Sequence, residues 1–229
     1  MILTGRLLAA ASLIPQGKTI ADIGTDHGYL PVYACEKGIV PRAVAADIVP
    51  GPLQAATAHV QGAGLADVID CRLGDGLTCL APGEVDGVVI CGMGGPLMVK
   101  ILQASPTVWR QMQFLILQPQ SDAGALRRFI YEQGWHIEEE TLIIDEGRFY
   151  EMMRAVPGQA DLLPSWLYDI GPVNWQRKNP LLARKIAMLI DKKTRICQGL
   201  RKSHEDKSKQ IQVLEDEIAS WEDKKCQLQ

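Results

Sequence analysis

The sequence predicts an α/β fold: a doubly wound, mostly parallel sheet that ends in an antiparallel β-hairpin, followed by a C-terminal helical hairpin. Short apolar runs alternate with longer segments of helical periodicity. Two extended runs, 136–144 and 149–156, flank a short loop that contains Gly147, and two apolar helical stripes end the chain. With 229 residues, the chain accommodates one domain and an appendage. We divide it into residues 1–158 and residues 159–229.

Apolar runs and the residues that interrupt them predict each element of the sheet in turn. The predicted elements are strand 19–23, helix 29–37, strand 43–47, helix 52–63, strand 69–73, strand 85–91, helix 96–104, strand 113–117 and helix 122–133. Gly38 and Gly134 follow predicted helices, as is usual at helix ends. The apolar stretch 7–14 resembles a secretory signal, but it leads directly into the first strand. We therefore predict a short helix packed on the sheet instead.

The hairpin at the end of the sheet indicates a class of protein. A parallel α/β sheet that closes on an antiparallel hairpin is typical of class I methyltransferases, whereas dinucleotide dehydrogenases do not usually end this way. Because one fold supports many activities, the function has to be argued from the site residues.

The C-terminal part of the chain has a different pattern. Residues 157–174 are rich in proline and glycine and predict a linker, after which Asn179 and Pro180 predict a helix start with Asn179 as N-cap. Apolar residues then recur at steps of three and four in two stripes: Leu182, Ile186, Leu189, Ile196 and Leu200, then Ile211, Leu214, Ile218 and Trp221. The polar segment 203–208 separates the stripes. This favours two antiparallel helices over one long coiled-coil helix.

Positive charge is concentrated in the first of these helices. Residues 177–202 contain nine lysines and arginines and a single aspartate, although the formal net charge of the chain is -3. Such asymmetry indicates a surface that faces a polyanion, and a solvated basic helix is the alternative. The candidate RNA-binding residues are Arg177, Lys178, Arg184, Lys185, Lys192, Lys193 and Arg195.

The most informative stretch is Asp-Ile-Gly-Thr-Asp-His-Gly-Tyr-Leu-Pro at residues 22–31. An apolar run leads into it, its glycines bracket a turn, and a helical pattern begins near Tyr29. A strand, a glycine turn and a helix N-terminus form a cradle for a ligand, because bare backbone can approach closely and its N–H groups point outward. The predicted cofactor-binding residues of this turn are Asp22, Gly24, Thr25, Asp26, His27 and Gly28.

Three further landmarks follow in the order that a nucleotide-type cofactor requires. Asp47 ends the next predicted strand and Ile48 follows it, and the aspartate would accept hydrogen bonds from ribose hydroxyls. Gly74-Asp75-Gly76 follows the third strand, where Asp75 would accept from the amine of an adenine. Gly92-Met93-Gly94 follows the fourth strand and would shape the reaction chamber. Taken singly, each aspartate is more often a cap or turn residue, and each glycine cluster a tight turn.

The composition of the first turn favours S-adenosylmethionine over NAD. Asp26 occupies the middle position of the G-x-G-x-x-G pattern that is typical of nicotinamide-binding folds. A carboxylate there would repel a pyrophosphate but could meet an ammonium group. S-adenosylmethionine carries an ammonium and a sulfonium and no phosphate.

Taken together, the motifs resemble the bacterial tRNA (adenine-22-N1)-methyltransferase family. The motifs are residues 22–31, Gly-Asp-Gly-Leu at 74–77, Gly-Met-Gly-Gly at 92–95, Leu-Gln-Pro-Gln at 117–120, Phe-Tyr-Glu at 149–151 and Asn-Pro-Leu at 179–181. The resemblance implies a class I fold with a C-terminal coiled coil, S-adenosylmethionine as cofactor, and methylation of adenine N1 in the D-arm region of tRNA. Asp47 stands where glutamate is expected in many members, and both side chains can bind ribose hydroxyls.

The candidate catalytic residues are Asp26, Tyr29 and Gln118. Asp26 would hold the ammonium group or accept from the adenine amine, Tyr29 would stack or donate, and Gln118 would read the adenine edge. The plainer alternatives are a turn carboxylate, a core tyrosine and a helix-entry residue. Direct attack by adenine N1 on the sulfonium methyl requires no metal, and the protons of the product do not demand a general base. His27 is therefore predicted as a wall of the cofactor pocket.

Other features of the sequence limit the cellular location and the partners of the protein. The six cysteines form no C-x-x-C pair, which predicts a reducing cytoplasm. No segment approaches the roughly 20 apolar residues that cross a bilayer, so we expect no membrane partner. We expect a monomer whose partner is tRNA. The alternatives are a methyltransferase that acts on DNA, rRNA or a small molecule, a non-catalytic RNA-binding module with a degenerate cofactor fold, and, more distantly, a nicotinamide dehydrogenase.

Overall fold

The computed structural model describes residue 3, residues 5–203 and residues 205–228. The chain divides into two compact units, Met1–Val173 and Asn174–Gln229. The first unit therefore extends beyond residue 158, where the sequence analysis placed the boundary. Among the described residues, none of the helices combines the length and the apolar character that crossing a bilayer requires.

A seven-stranded sheet forms the centre of the first unit. Its strands are β1 (Ile20–Ile23), β2 (Ala43–Asp47), β3 (Ile69–Leu73), β4 (Gly87–Met93), β5 (Phe114–Pro119), β6 (Trp135–Asp145) and β7 (Arg148–Pro157). The strand order is β3-β2-β1-β4-β5-β7-β6. Strands β1 to β5 are parallel, whereas β7 pairs antiparallel with both β5 and β6. The predicted parallel sheet with a terminal antiparallel hairpin is confirmed.

Helices cover both faces of this sheet. They are α1 (Gly5–Ser12), α2 (Tyr29–Glu36), α3 (Pro50–Gly62), α4 (Gly95–Ala104), α5 (Pro106–Trp109), α6 (Ala123–Glu132) and α7 (Ser165–Ile170); α8 (Pro172–Gln176) follows in the sequence and begins in the first unit. One core contains Ala10, Leu30 and Val60 from α1, α2 and α3, and the other contains Met98 and Leu126 from α4 and α6. The two cores exist because successive strand residues point to opposite faces. The predicted N-terminal helix is present as α1.

A buried ion network joins the hairpin to α6. The Arg127 side chain is fully buried and donates to Glu140 at 2.6 Å, to Glu151 at 2.7 Å and to the Tyr168 carbonyl at 2.8 Å. Glu140 also accepts from the Val173 N–H at 2.9 Å. These partners of the cation are therefore supplied by β6, by β7 and by the segment after them.

This network explains why residues 157–174 differ from the predicted linker. The segment contains all of α7 and the start of α8, and it ends the first unit. Its backbone is held by the Arg127 and Glu140 side chains at Tyr168 and Val173. Proline and glycine in this segment mark the ends of short helices, and the contacts that fix them come from distant positions in the sequence.

The second unit is a helical hairpin of α9 (Leu182–Leu200) and α10 (Ser208–Cys226). Lys193 pairs with Glu217 at 2.6 Å, and Arg201, which follows the end of α9, pairs with Glu215, which lies earlier in α10. The helices are therefore antiparallel, as predicted. In the polar segment between them, residue 204 lies outside the described residues.

Helix α9 begins slightly later than predicted. The Asn179 side chain accepts from the Leu181 N–H at 3.0 Å, which is the bond expected of an N-cap. The Leu182 N–H donates to the Asn179 carbonyl at 2.9 Å, so the first turn is tighter than an α-helical turn. The α-helix itself therefore starts at Leu182 and not at Pro180.

Candidate active site

The predicted cofactor residues lie at one edge of the sheet, where the parallel strands end. The strand order reverses between β1 and β4, and ligands of open α/β sheets bind outside the carboxyl ends of the strands at such a point. The first glycine turn follows β1, Asp47 ends β2, residues 74–75 follow β3, and residues 92–94 end and follow β4. The geometry therefore brings the four motifs to one crevice.

The turn after β1 requires glycine at its first position. Gly24 has φ +74°, and its N–H and that of Thr25 donate to the Ala46 carbonyl at 2.8 and 3.0 Å. A Cβ on Gly24 would lie 2.4 Å from Cε of Met93. The Met93 side chain therefore reaches the turn after β1 and would have to move for a side chain at position 24, but it is the positive φ that favours glycine there. Thr25 and Gly28 are buried within this turn.

Asp22 is an unusual carboxylate. It is the third residue of β1 and only 5% exposed. Burial raises the pKa of its carboxyl group to about 6, while Thr25 and Arg6 act in the opposite direction. A buried carboxylate with a raised pKa at the end of a strand marks a site where a cation would be favourable.

Asp47 is positioned by the backbone around it. Its Oδ1 accepts from the Val49 N–H at 2.8 Å, and its Oδ2 accepts from the Asp26 N–H at 3.4 Å. The carboxylate is therefore oriented while it remains partly open to solvent. Two apolar side chains at the same strand ends, Ile48 and Leu73, are 60% and 58% exposed. Exposed apolar groups beside an oriented carboxylate suit a ligand that has both a flat ring and hydroxyl groups.

The residues after β3 divide into two groups. Asp75 is exposed, and the Gly74 N–H donates to the Asp47 carbonyl at 3.0 Å, so both residues lie at the crevice. Gly76, by contrast, is buried against α4, and a Cβ there would lie 2.9 Å from Cγ2 of Ile101. Its small size serves packing against α4.

The end of β4 is irregular, just before the turn that follows it. The pairing of β4 with β5 shifts between Cys91 and Met93, and Gly92 has φ +80°. The Met93 carbonyl accepts from the Gln120 N–H at 2.8 Å, and the Gly95 N–H donates to the Ser121 carbonyl at the same distance. These bonds attach the turn that contains Gly94 to the loop that follows β5.

Gln118 and Arg6 form a bridge behind this turn. Gln118 is fully buried, and its Oε1 accepts from Nη1 of Arg6 at 2.8 Å and from the Gly92 N–H at 3.0 Å. The Arg6 backbone N–H donates to Asp145 at 2.8 Å, and its guanidinium lies 5.9 Å from the centre of the Tyr150 ring. Sequence reasoning missed Arg6. An isolated arginine in an apolar helix that packs on the sheet was the available signal.

The other two predicted catalytic residues lie at the open mouth of the crevice. Asp26 has φ +53°, which is uncommon for a residue other than glycine, and its side chain is 70% exposed. Its carboxylate lies 3.6 Å from Nε2 of His27. Tyr29 begins α2 and is 43% exposed, so it is not a core tyrosine.

The predicted RNA-binding residues occupy different surroundings within the second unit. Arg184, Lys192 and Arg195 are exposed and share one face of α9, because they lie eight and three residues apart. Lys193 lies on the side that faces α10, where it pairs with Glu217. The remaining predicted residues are Arg177 and Lys178 in the turn before α9, and Lys185 in its first turns.

A cavity of about 620 Å³ lies at the opposite edge of the sheet. It is lined by residues at the amino ends of β2 and β3, such as Arg42 and Asp70, and by Thr57 of α3. None of the predicted cofactor residues lines it. Its place at the amino ends is not where open α/β sheets bind their ligands.

The strand order and the crevice define a class I methyltransferase. A family model described as "Methyltransferase domain" matches residues 3–153. The tRNA (adenine(22)-N(1))-methyltransferase of Bacillus subtilis (strain 168) is 35% identical over 192 residues, which cover 80% of this chain and 79% of that protein. The chain belongs to the tRNA (adenine(22)-N(1))-methyltransferase family.

Solved structures agree with this assignment. The crystal structure of B. subtilis TrmK matches with a TM-score of 0.90 and 31% identity, covering 97% of this chain and 98% of that chain. Streptococcus pneumoniae Sp1610 in complex with S-adenosyl-L-methionine matches with a TM-score of 0.87 and 30% identity, covering 97% and 99%. The predicted fold class and family are confirmed.

Proposed function

We propose that this chain transfers a methyl group from S-adenosylmethionine to N1 of adenine 22 in tRNA. The observation that carries the proposal is the carboxyl-edge crevice, in a chain that matches B. subtilis TrmK over 97% of its length. In this crevice, buried Asp22 and oriented Asp47 lie at the ends of neighbouring strands beside two glycine turns.

The side chains of the crevice fit S-adenosylmethionine better than a phosphate-containing cofactor. Asp22, Asp26 and Asp47 would repel a pyrophosphate but favour an ammonium group and ribose hydroxyls. We assign the ammonium to Asp22, because a buried carboxylate without a bound cation is unfavourable, and its pKa is accordingly raised to about 6. We assign the ribose to Asp47, and the adenine to the space between Ile48 and Leu73, with Asp75 accepting from its amine.

The remaining predicted cofactor contacts are assigned to main chain and to packing. These residues are Gly24, Thr25, His27, Gly28, Gly74, Gly92, Met93 and Gly94. The glycines leave room for a ligand against bare backbone, and the Met93 side chain crosses the crevice to Gly24. Gly76 is left out of this set, since its main chain is buried against α4.

The reaction mainly requires the protein to align adenine N1 with the sulfonium methyl group. When bound, S-adenosylmethionine supplies a methyl group on a sulfonium, and the adenine N1 lone pair forms the new bond as the carbon–sulfur bond breaks. Fixed near-attack geometry contributes up to about 7–11 kcal/mol. Because N1 releases no proton, no side chain has to act as a base. We place Asp26 and Tyr29 beside the extruded adenine, where the Asp26 carboxylate would stabilise the positive charge that develops on the base.

Gln118 is given a positioning role. Its carboxamide oxygen already accepts from Arg6 and Gly92, and its side chain is fully enclosed. We propose that the pair Arg6 and Gln118 holds the turn after β4 in the shape that methyl transfer needs, and that Gln118 does not itself read the adenine edge.

Replacing Asp47 by alanine tests the ribose assignment. We expect the binding free energy of S-adenosylmethionine to fall by about 1.5–3 kcal/mol, because charge-assisted hydrogen bonds are lost. Isothermal titration calorimetry measures this. Asp67→Ala, in the turn before β3 at the opposite edge, is the matched control and should bind normally. Equal affinities for the two variants would show that the ribose lies elsewhere.

The exposed basic face of α9 is proposed to contact tRNA phosphates. We expect Lys192→Glu with Arg195→Glu to weaken tRNA binding. The slope of log affinity against log salt, which is negative, should become less steep by about 2. Lys193→Gln removes a nearby charge that is already paired with Glu217, and it should leave that slope close to the wild-type value. Filter binding over a salt series measures both. A wild-type slope in the double variant would remove α9 from the tRNA interface.

Methylation of an unmodified tRNA transcript tests the function as a whole. Purified protein is incubated with labelled S-adenosylmethionine and either the transcript or a variant with guanine at position 22. We expect label in the first only, and a reverse-transcription stop at adenine 22, since a methyl group on N1 blocks base pairing. Label at another nucleotide, or transfer only to DNA, rRNA or a small molecule, would refute the proposal.

All six cysteines are free, which supports a cytoplasmic location.

A further inference from the structure

Three aromatic rings, two of them exposed and the third half-buried, form a cluster beside the mouth of the crevice. The ring centres of His27 and Tyr29 are 5.3 Å apart, and those of Tyr29 and His59 are 5.2 Å apart. The His27 side chain is 50% exposed and Tyr29 is 43% exposed. We call His27, Tyr29 and His59 the aromatic patch. Tyr29 belongs to neither hydrophobic core, and much of the Tyr29 and His27 side chains is open to solvent, so packing of the sheet does not explain these two rings.

The patch is held in place by two helices. Nδ1 of His59, on α3, lies 2.9 Å from the His27 carbonyl oxygen, and because a carbonyl can only accept, Nδ1 carries the proton. Gly28 brings α2 and α3 together, since a Cβ there would lie 3.3 Å from Cβ of Ala56. The rings are therefore pre-positioned, and a ligand that stacks on them loses little freedom in ordering them.

The chemistry of the patch suits a nucleobase. Every base presents a flat π-face, and aromatic side chains stack on unpaired bases in proteins that bind single-stranded RNA. The adenine of the cofactor is assigned to the ends of β2 and β3, beside Ile48 and Asp75, so the patch remains available. The target base has to leave the helical stack to expose N1, so the RNA brings at least one unpaired nucleobase to the crevice.

We propose that the aromatic patch stacks on an unpaired nucleobase of the tRNA, and that His59 is a tRNA-contacting residue. The proposal rests on the proposed function, because it takes tRNA as the substrate. It assigns the three rings to the RNA, whereas at position 27 the main chain remains part of the cofactor turn.

Two substitutions of His59 separate stacking from anchoring. His59→Phe keeps a ring and loses the hydrogen bond to the His27 carbonyl, whereas His59→Gln keeps a donor and loses the ring. We expect His59→Gln to lower tRNA affinity by about 5- to 150-fold, the range for loss of one stacked base. We expect His59→Phe to stay within about threefold of wild type. Filter binding gives the tRNA affinities, and calorimetry with S-adenosylmethionine serves as the control for folding and should give wild-type values for both variants.

Each other outcome overturns the proposal. If neither variant alters tRNA affinity, the patch does not contact the RNA. If His59→Phe binds tRNA weakly and His59→Gln binds it with normal affinity, His59 acts only by anchoring His27. If S-adenosylmethionine affinity falls together with tRNA affinity, the patch belongs to the cofactor site. These results are distinct from a failure of the proposed function, in which the wild-type protein itself would not methylate tRNA, and which would overturn the proposal as well.

Discussion

An Asp22→Asn variant is expected to bind S-adenosylmethionine weakly and yet to resist unfolding better than the wild-type protein at pH 7. Binding should fall by about 2–5 kcal/mol, because the ammonium group loses a buried carboxylate partner. The folded state should gain stability, because burial raises the pKa of Asp22 to about 6, above its ordinary value of 3.8. The folded chain therefore holds the proton at pH values where the unfolded chain has released it.

The sign of the stability change follows from this shift. As the pH rises from about 4 to about 6, ionisation of Asp22 costs the wild-type protein up to roughly 3 kcal/mol of unfolding free energy, a cost that asparagine does not have. Urea unfolding should therefore separate the two proteins at pH 7 and not at pH 4. Asp86→Asn is the matched control. Bonds from Thr19 lower the pKa of Asp86, so this variant should lose stability at pH 7 and keep its affinity for S-adenosylmethionine.

Normal cofactor binding by Asp22→Asn would contradict the ammonium assignment. A loss of stability at pH 7 would contradict the account of Asp22 as a strained buried carboxylate. The two measurements are independent, so each part of the prediction can fail alone. If both hold, the site sacrifices folding stability for binding, as expected where a charge is buried for a ligand.

Replacing Arg127 by methionine is expected to lower the free energy of unfolding by about 3–5 kcal/mol. The guanidinium is completely buried and is the shared partner of Glu140 and Glu151. Removing it leaves two carboxylates in the protein interior without their cation. It also removes the donor to the Tyr168 carbonyl, which holds the segment before the second unit. Urea unfolding of the full chain measures the loss.

A triple variant serves as the control for this prediction. Arg127→Met combined with Glu140→Gln and Glu151→Gln replaces both carboxylates by neutral amides, and the amide carbonyl oxygen introduced at position 140 can still accept from the Val173 N–H. We expect this variant to recover a large part of the stability that the single variant loses, because no uncompensated charge remains. A triple variant as unstable as the single variant would show that the lost packing of Arg127, and not charge, determines the result.

The sheet could be predicted because its signals are local. Each strand is an apolar run that ends at a polar or glycine residue, and the terminal hairpin has its turn at residues 145–148. Strand β4 begins and ends two residues later than predicted: the Asp86 carboxylate accepts from the Thr19 N–H and hydroxyl just before the strand, and the pairing with β5 continues past the irregularity at Gly92 to Met93. The short helices α5 and α7 were not predicted, since four- and six-residue helices carry too little periodicity.

The residues of the site also fall into two groups, those with a local sequence signal and those without one. Asp22, Gly24 and Asp47 could be found because each stands at a fixed offset from its own strand. The isolated charge of Arg6 was visible in the sequence, but its bond to Gln118 was not, because the two residues lie 112 positions apart. His59 is bound to the carbonyl of a residue 32 positions earlier, and nothing in its local sequence reveals that bond. Contacts of this kind depend on how helices pack on the sheet and not on local pattern.

The central claim is that a sulfonium donor lies across the carboxyl ends of β1, β2 and β4, held by carboxylates. A crystal structure of this chain with S-adenosylhomocysteine tests it most directly. We predict ribose hydroxyls within hydrogen-bonding distance of Asp47 and the amino group beside Asp22. Density for the ligand at the amino ends of the strands, or a crevice that excludes it at saturating concentration, would contradict the account.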